Sequence, residues 1–342
     1  MIQLQVNGKN YTDFLAADVQ LSIDQLVGGF AFQATATPAS IFPFSMRDVV
    51  KVIADGFTVI TGVIDKIEVS YDAFAHTISI TGRSLLADLV DSSIDEQINT
   101  TELSLAKICE KVLSDIGLNV KVIDNSGTSE FKDYDIASSE EGQTAFEFIQ
   151  ALANKRQVLL TSDSDGNLLL TRAGTETAPF NLQNKLEAKD NNILTGTYTT
   201  DQSSQFYKYK VNSQLSLLKM LEETTPEDAA NQSGIAINES IRETRLLSLT
   251  AEENSDNETD VDRAKWERNI RKARGIGATY NIQGHSMGGK EIKINQLVQV
   301  NDDYLSLNEK MLIKMVNLKY SLDSGSITTI QLSDPKAYTL DD

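Results

Sequence analysis

The sequence predicts a β-rich α+β fold of two similar small β-barrel domains, an inserted α/β unit and a long loop-helix excursion. Three observations carry that prediction. The first is Asp48 to Ser84, which reads as a β-meander: Val50 and Val52 alternate with polar neighbours, and Asp55-Gly56 supplies a turn. Val63, Ile67 and Val69 then lead into a second turn at Tyr71-Asp72, and Ile78 and Ile80 follow it. The second is that this order returns near the C-terminus, as Val298 and Val300, an Asp302-Asp303 turn, Ile313, Val316, Leu318 and Tyr320, a turn at Ser324-Gly325, then Ile330 and Leu332. The third is that between the copies the hydrophobic period changes from that of a strand to that of a helix. Equivalence of the copies places Ile67, Val69, Ile78 and Ile80 at the same inward positions as Val316, Leu318, Ile330 and Leu332.

In chain order, Ile2, Leu4 and Val6 alternate, Asn7-Gly8 makes a tight turn, and Val19, Leu21 and Ile23 alternate again. Gly28-Gly29 marks a bulge or hairpin bend before Phe30, Phe32 and Ala34, and Pro38 to Pro43 reads as loop. The first barrel domain is assigned to residues 1–90. Within its last residues Leu85, Leu86, Leu89 and Val90 already take helical spacing, and a second helix carries Leu103, Ile108, Val112 and Ile116 from a cap at Thr101 or Ser104 to Gly117. A strand from Asn119 to Ile123 and a helix from Gly142 to Lys155, with Phe146, Ile149 and Ala153 on one face, come next. A hairpin joining Val158–Thr161 to Leu168–Thr171 completes an inserted α/β domain at 91–190. Its turn, Ser162 to Asn167, has two carboxylates and a glycine like the start of a calcium loop. The closing bidentate acid is missing and strands flank it, so it is read as a hairpin turn.

Strand spacing returns at Thr195, Thr197 and Thr199 and at Phe206, Tyr207, Tyr209 and Val211, which assigns the second barrel domain to 191–222 and 278–336. The intervening 223–277 holds the excursion. Glu222 to Asp262 is acidic and polar with little periodicity apart from Ile241 to Leu249, and is expected to be partly mobile. It leads into a helix, Thr259 to Gly275, with acids in its first turn, bases in its last and glycine as its stop. Trp266, Ile270 and Ala273 share one face. Lys265, Arg268, Arg271, Lys272 and Arg274 form the one strong basic cluster, read either as a solvated face or as a contact for a protein or phosphate group.

Composition narrows the function. Among 342 residues, 31 Lys and Arg stand against 49 Asp and Glu, a net charge of −18 that repels polyanions over most of the surface. Tight nucleic-acid binding, which needs several clustered cationic phosphate contacts, is disfavoured. No apolar run reaches the length of a membrane span, and the opening MIQLQVNGKNY alternates at once, so a soluble, unsecreted protein is expected. The single cysteine, Cys109, excludes an internal disulfide and lies among the apolar positions of a helix, where a buried, inert thiol is expected. Two histidines and one cysteine cannot build a Cys/His metal site, and no phosphate-cradling glycine loop precedes a helix, so neither metal nor cofactor is expected.

One catalytic motif is present. Gly284-His285-Ser286-Met287-Gly288 fits the G-x-S-x-G nucleophile elbow, which would make Ser286 the nucleophile of an esterase. An elbow needs a helix after the serine, whereas Glu291 to Val300 alternates as a strand. The hydrolase fold also places its histidine after the serine, and both His76 and His285 precede Ser286. Without a base the hydroxyl is a poor nucleophile, and GHSMGGK reads as a glycine-rich β-turn.

Four stretches together resemble the baseplate hub (tail) proteins of contractile-tailed phages, phage Mu type. They are LQVNGKNY with VQLSIDQLVGGFAFQAT, the strand-to-helix junction ISITGRSLLADLVDSSI, the re-entry AKWERNIRKARGIGATYNIQG, and NQLVQVNDD with LIKMVNLKYSLDSGSITTIQLSDPKAY. GHSMGGKEIKINQ departs from the family, which commonly has an aromatic residue before the strand, as does the acidic 222–262 region. The resemblance implies a structural, non-enzymatic protein of the virion tail baseplate, made in the bacterial host cytoplasm. It implies a homotrimer whose six barrel domains form a pseudo-sixfold ring between the sixfold tail tube and the threefold spike. The spike, tube and baseplate proteins are then the partners, and DNA crosses the lumen without being tightly bound. The nearest alternative is the hub of a phage-like secretion or bacteriocin apparatus. An esterase using Ser286 and a receptor- or glycan-binding tail protein are the others, the last disfavoured by a single tryptophan.

Overall fold

The computed structural model describes residues 1–35, 44–95, 102–128, 142–156, 158–174, 176–187, 189–212, 233–250 and 257–338, with residues 98, 100 and 139. Strands β1 (Ile2–Val6), β2 (Lys9–Tyr11), β3 (Ala16–Ser22), β4 (Gly29–Thr35), β5 (Val49–Ala54), β6 (Phe57–Tyr71) and β7 (His76–Ser84) make the first half. Helices α1 (Ala87–Asp91), α2 (Leu105–Asp115) and α3 (Ala145–Lys155) with β8 (Val122–Asp124), β9 (Leu159–Ser162) and β10 (Leu168–Thr171) form the insertion. β11 (Glu176–Asn184) and β12 (Ile193–Thr200) start the second half, and β13 (Lys208–Asn212), β14 (Ser233–Ile237), β15 (Leu246–Thr250) and helix α4 (Asn257–Gly275) interrupt it. β16 (Ile276–Gln283), β17 (Ser286–Met287), β18 (Lys290–Glu291), β19 (Gln296–Asp302), β20 (Leu307–Ser321) and β21 (Gly325–Ser333) complete it.

The fold is β-rich as expected, but among the described residues neither half closes into a barrel. The two halves share one open, 13-stranded sheet with the order β12-β16-β21-β20-β3-β4-β7-β6-β5-β1-β2, to which β19 and β11 are added beside β20. The reason is the length of β20. Its first part pairs with β19 from Leu307 to Leu312, and its last part pairs with β3 of the other half, from Met315↔Ser22 to Ser321↔Ala16. The halves therefore merge through a shared edge instead of each closing on itself. A single hydrophobic core runs under both, from Leu4, Val19 and Ile80 to Val300, Val316 and Leu332.

The halves match strand for strand. β6 and β20 are both 15 residues long and both carry a bulge, between Ile64 and Lys66 and between Ile313 and Met315. Across the hairpins Ile67 faces Ile80 and Val69 faces Ile78, whereas Val316 faces Ile330, Leu318 faces Thr328 and Ile313 faces Leu332. Ile80 thus corresponds to Ile330, and Leu332 corresponds to Gly82, which faces Ile64. The closing strands are matched two residues away from the pairing expected from sequence. A slip of two leaves a period-two pattern unchanged, so alternation alone cannot detect it. Volume is conserved across the difference: Phe30 lies opposite Gly82 where Ala278 lies opposite Leu332. A Cβ on Gly82 would come within 2.3 Å of the Phe30 ring.

Of the eight expected core positions, Ile78, Ile80, Val316, Leu318, Ile330 and Leu332 are buried and Ile67 is half-buried against the core. Val69 is not a core residue, with 57% of its surface exposed. The end of β6 runs past the last residue paired with β5, Val63, and nothing among the described residues covers its free edge.

The insertion follows local rules. Ser104 caps α2 by accepting from Lys107 N, and Thr144 and Glu147 form a reciprocal capping box at α3. Leu86, Leu89, Ile108, Val112, Phe148 and Ile149 form one apolar cluster with Leu160, Leu168 and Leu170. Cys109 is buried among them, and burial pushes its thiol pKa upward, which keeps it in the unreactive form. The Ser162–Asn167 turn is a hairpin loop in which Asp163 accepts from the backbone of Asp165 and Asn167. The stretch Phe206 to Val211, assigned by spacing to the second half, belongs to a separate sheet, β14-β13-β15. Tyr209, Val211 and Ala236 there pack on Ala264 of α4. Residues 233–250 of the acidic excursion are ordered in this way. Residues 222–232 and 251–256, like Pro38 to Pro43, lie outside the described residues.

Ile80→Asp or Leu332→Asp buries an unpaired carboxylate in the shared core and is expected to cost on the order of 3–5 kcal/mol. Val69→Asp in the isolated chain should shift stability by no more than about 0.5 kcal/mol. Urea unfolding midpoints separate the two cases, and equal losses at all three positions would contradict the assigned core.

Candidate functional site: a carboxylate tie and a neutral sheet face

The nucleophile-elbow sequence is a hairpin. Gly288 and Gly289 both have left-handed φ, +57° and +72°, and connect β17 to β18 as a two-residue turn of the type that matches strand twist. Ser286 is half-buried, and its hydroxyl donates to Asp55 Oδ2 at 2.9 Å; the backbone N–H of His285 donates to the same oxygen at 3.2 Å. The other carboxylate oxygen of Asp55 meets the Met1 ammonium. The imidazole of His285 is buried and turned to Thr328, with Nδ1 3.4 Å from its hydroxyl, and burial lowers its pKa. The Ser286 hydroxyl therefore donates its hydrogen bond to a carboxylate that already has other donors, and the His285 ring is turned to Thr328 instead. Burial raises the pKa of Asp55, but the Met1 ammonium, the Ser286 hydroxyl and the His285 amide outweigh it and hold the group below the usual aspartate range. The arrangement ties the β5–β6 turn of one half to the glycine hairpin of the other. Sequence reading found both turns but not their contact, because no local signal links residues 231 positions apart.

The second feature is the sheet face turned away from the core. Reading across the ladder, it presents Thr195, Asn281, Thr329, Asn317 and Gln20, with Ala31, Thr81 and Ser79 farther along. Asn281 Nδ2 donates to Thr195 Oγ1 at 2.8 Å and Thr329 Oγ1 to Asn281 Oδ1 at 2.7 Å, so neighbouring strands are stitched by neutral side chains. Its charges include the opposite pairs Lys319 with Asp18 at 3.8 Å and Lys66 with Glu68, and farther across the sheet Arg83, which bonds to Asp65 and Asp91, and Lys51. A groove of about 660 Å³ lies on this face, with Ala16, Ala31, Ser79, Thr81 and Ser321 among its lining. Across a chain of net charge −18, this is a broad surface built mainly from uncharged side chains.

Known proteins share this architecture. Residues 1–84 match the family model described as Mu phage baseplate assembly protein GpP-like, N-terminal. Residues 86–172 match the second domain of baseplate hub protein gp44-like, and residues 256–341 the fourth domain of Mu phage baseplate assembly protein GpP. The baseplate hub protein gp44 of Escherichia phage Mu is 21% identical over 98% of this chain and 88% of its own. The 43 kDa tail protein of prophage MuSo2 from Shewanella oneidensis is 30% identical, with 98% of each chain covered and a TM-score of 0.83. The chain belongs to the Mu-type baseplate hub family. A tail protein from Neisseria meningitidis MC58, 17% identical with 99% of this chain and 98% of its own covered, shares the fold at a TM-score of 0.85.

As a member of that family the hub is a structural tail protein and not an enzyme. Among its described residues no cluster of three or more His, Cys, Asp or Glu side chains is arranged to hold a metal. No described helix is long and apolar enough to cross a membrane. The hub's basic helix α4 is split by its surroundings. Trp266 and Ala273 are buried and Ile270 packs with them, against Ile23 and Leu312. Arg268 donates to the Ile237 carbonyl at 3.3 Å, and Arg271 lies 3.4 Å from Glu267 and over the Phe206 ring. Lys265 is half-buried, and Lys272 and Arg274 point to solvent. The five cations do not form one outward patch.

Because the folded pKa of Asp55 is depressed, its tie contributes fully above the ordinary aspartate pKa and is lost as pH falls through that value and below. Ser286→Ala is expected to cost about 1 kcal/mol near neutrality, the value of a partly exposed hydrogen bond to a charged group. The cost should vanish in an Asp55→Asn background and at acid pH. Denaturation of the four members of this cycle at pH 7 and pH 3 tests it, and a pH-independent loss would remove the carboxylate from the account.

Proposed function

We propose that three copies of this chain form the hub ring of a contractile phage tail. Each copy contributes two equivalent sectors, and the pseudo-sixfold annulus joins the sixfold tail tube to the threefold spike and conducts DNA during ejection. The observation that carries the reading is the β20–β3 ladder, which sets two matching halves side by side in one sheet. One chain thereby presents two similar sectors in sequence, and a closed ring of such chains repeats each feature with threefold symmetry and the shared framework with approximate sixfold symmetry. The face of that sheet built from Thr195, Asn281, Thr329, Asn317 and Gln20 supports the conduit role, because a wall with few cations offers phosphates little release of counterions and no lasting hold. Lys272 and Arg274, exposed on α4, are assigned to acidic groups of the spike, tube or baseplate, where exposed pairs contribute about 0–1 kcal/mol each and set orientation more than affinity.

Light scattering over a range of concentrations should return the mass of a trimer at the high end. A monomer or dimer throughout, in the presence of spike protein as well as without it, would contradict the ring. Fluorescence anisotropy with duplex DNA at physiological salt should show no submicromolar binding. Such binding, abolished by Arg268→Glu with Arg271→Glu, would show that α4 holds DNA and that the passive conduit is wrong.

A further inference from the structure

The small sheet β14-β13-β15 is covered at one end and left open at the other. On its inner face Tyr209, Val211 and Ala236 are buried with Ala264 of α4, and the helix lies so close to β14 that a Cβ on Gly234 would fall 2.0 Å from the Asp260 backbone. At β15 the same apolar layer runs out: Leu247 and Leu249 are only half-buried, and β15 ends the sheet. Its sequence, LLSLT, has neither the charge nor the proline that usually protects a free strand edge. The outer face differs from that of the large sheet. Along the ladder it reads Ile237, Lys208, Leu246 in one row and Ile235, Lys210, Ser248 in the next. Ile235, Ile237 and Leu246 are exposed. Lys208 and Lys210 lie half-buried between them, as long cationic side chains do when their stems cover apolar surface. The ion pairs of α4 join Arg263 and Arg271 to Glu267, and neither lysine takes part in an ion pair among the described residues.

We propose that β15 accepts an extended segment of another protein as a fourth strand, and that this segment alternates apolar and acidic residues. The two faces of the sheet dictate the alternation. Residues of an added strand that point inward come to lie beside Leu247 and Leu249 and extend the layer over α4, so they are apolar. Residues that point outward continue the rows of Lys208 and Lys210, and in a chain of net charge −18 two cations with no carboxylate of their own select acids there. Ser248, the small member of its row, leaves Lys210 a path across β15 to a carboxylate on the new strand, neighbouring strands being about 4.8 Å apart. Main-chain hydrogen bonds to the open edge give affinity, and the alternation gives selectivity. An anionic membrane suits the surface less well, because it faces the whole chain and its excess of 18 carboxylates, whereas a strand meets this sheet alone. The surface lies outside the shared 13-stranded sheet and does not depend on the ring.

Fluorescence anisotropy of the whole chain with a labelled peptide of alternating valine and glutamate tests the proposal. The peptide should bind saturably, and more weakly as salt rises. Lys208→Gln with Lys210→Gln should weaken binding at least tenfold. Lys208→Glu with Lys210→Glu should abolish it and confer binding of a valine–lysine peptide instead. A valine–glutamate peptide interrupted by prolines should not bind, since it cannot pair along the edge. Circular dichroism and unfolding midpoints check that both variants keep the fold, and the glutamine variant decides if the reversed one does not. Equal binding of the two peptides by the parent and the variants, or no binding of either, would overturn the proposal. Three other results would overturn it by assigning the surface elsewhere. Binding of phosphatidylglycerol vesicles but not of the peptide would assign it to a membrane, and self-association lost in Lys208→Glu with Lys210→Glu would assign it to a second copy. Peptide binding that appears only when residues 213–232 are replaced by a glycine-serine linker would assign it to the chain itself. Light scattering reads the trimer independently, so failure of this site and failure of the ring are told apart.

Discussion

A strand of fifteen residues has two edges to satisfy along its whole length, and the way β20 does so organises the molecule. On one side β21 follows it from Leu312 to Ser321. On the other no single neighbour does: β19 covers it up to Leu312, the bulge at Lys314 intervenes, and β3 takes over from Met315. A bulge inserts one residue and sharpens the local twist, which turns the second part of the strand away from its first partner. The direction it turns in is set by the core, since Val316 and Leu318 stay buried on the same side as Ile313. Once β3 is captured there, β4 and β7 follow through it, and the second half of the fold is bound to the first by backbone hydrogen bonds and by a common apolar layer. The Asp55 tie is then a second, weaker link across the same junction, formed at turns that the sheet has already brought together.

The electrostatics of the chain make sense in the same frame. The chain carries an excess of 18 carboxylates, while the sheet face opposite the core is built mainly from Thr, Ser, Asn, Gln and Ala, with charges that include the pairs Lys319 with Asp18 and Lys66 with Glu68. β-branched threonine is favoured on a pleated surface, and a hydroxyl or amide can bond to its cross-strand neighbour without the desolvation cost of a charge. The face is therefore stable as it stands and nearly silent to a passing polyanion. A wall dense in carboxylates would repel DNA at the entrance, and one rich in lysine would retain it. In the conduit we propose, a nearly neutral wall avoids both.

Much of this was legible in the residues, and the parts that were not share a cause. Alternation located nearly every strand of both halves, and capping residues located α2 and α3, because these signals act within a few positions. The elbow sequence was separable from a hydrolase site because strand spacing followed it and no histidine did. Closure of two barrels does not appear among the described residues, where the halves share one open sheet. The alternation of β3 and of β20 is the same whether each strand pairs inside its own half or with the other, so topology was not encoded at that range. The two-residue slip between Ile80 and Leu332 was invisible for the related reason that period two is unchanged by it. Phe206 to Val211 had strand spacing and is a strand, but its partners, β14 and β15, lay within a stretch whose polar composition read as irregular. Asp55 was seen as a turn former and not as the acceptor for a serine in the other half.

Duplication within one chain also explains why the halves have not remained identical. In the ring we propose, six identical units could match a sixfold tube but would present a threefold spike with twice as many equivalent sites as it can use. Two halves joined by β20 and β3 keep the sheet common to both while their insertions differ. The first half leads into the α2–α3 unit, and the second is interrupted by β13–β15 and α4. The first strand of each half shows the limit of that freedom: β1 lies antiparallel to β5, but β11 enters from the insertion and lies parallel to β19. Strand direction changed at the periphery, where one ladder is affected. At the junction of the two halves the long strand keeps an antiparallel partner, β3.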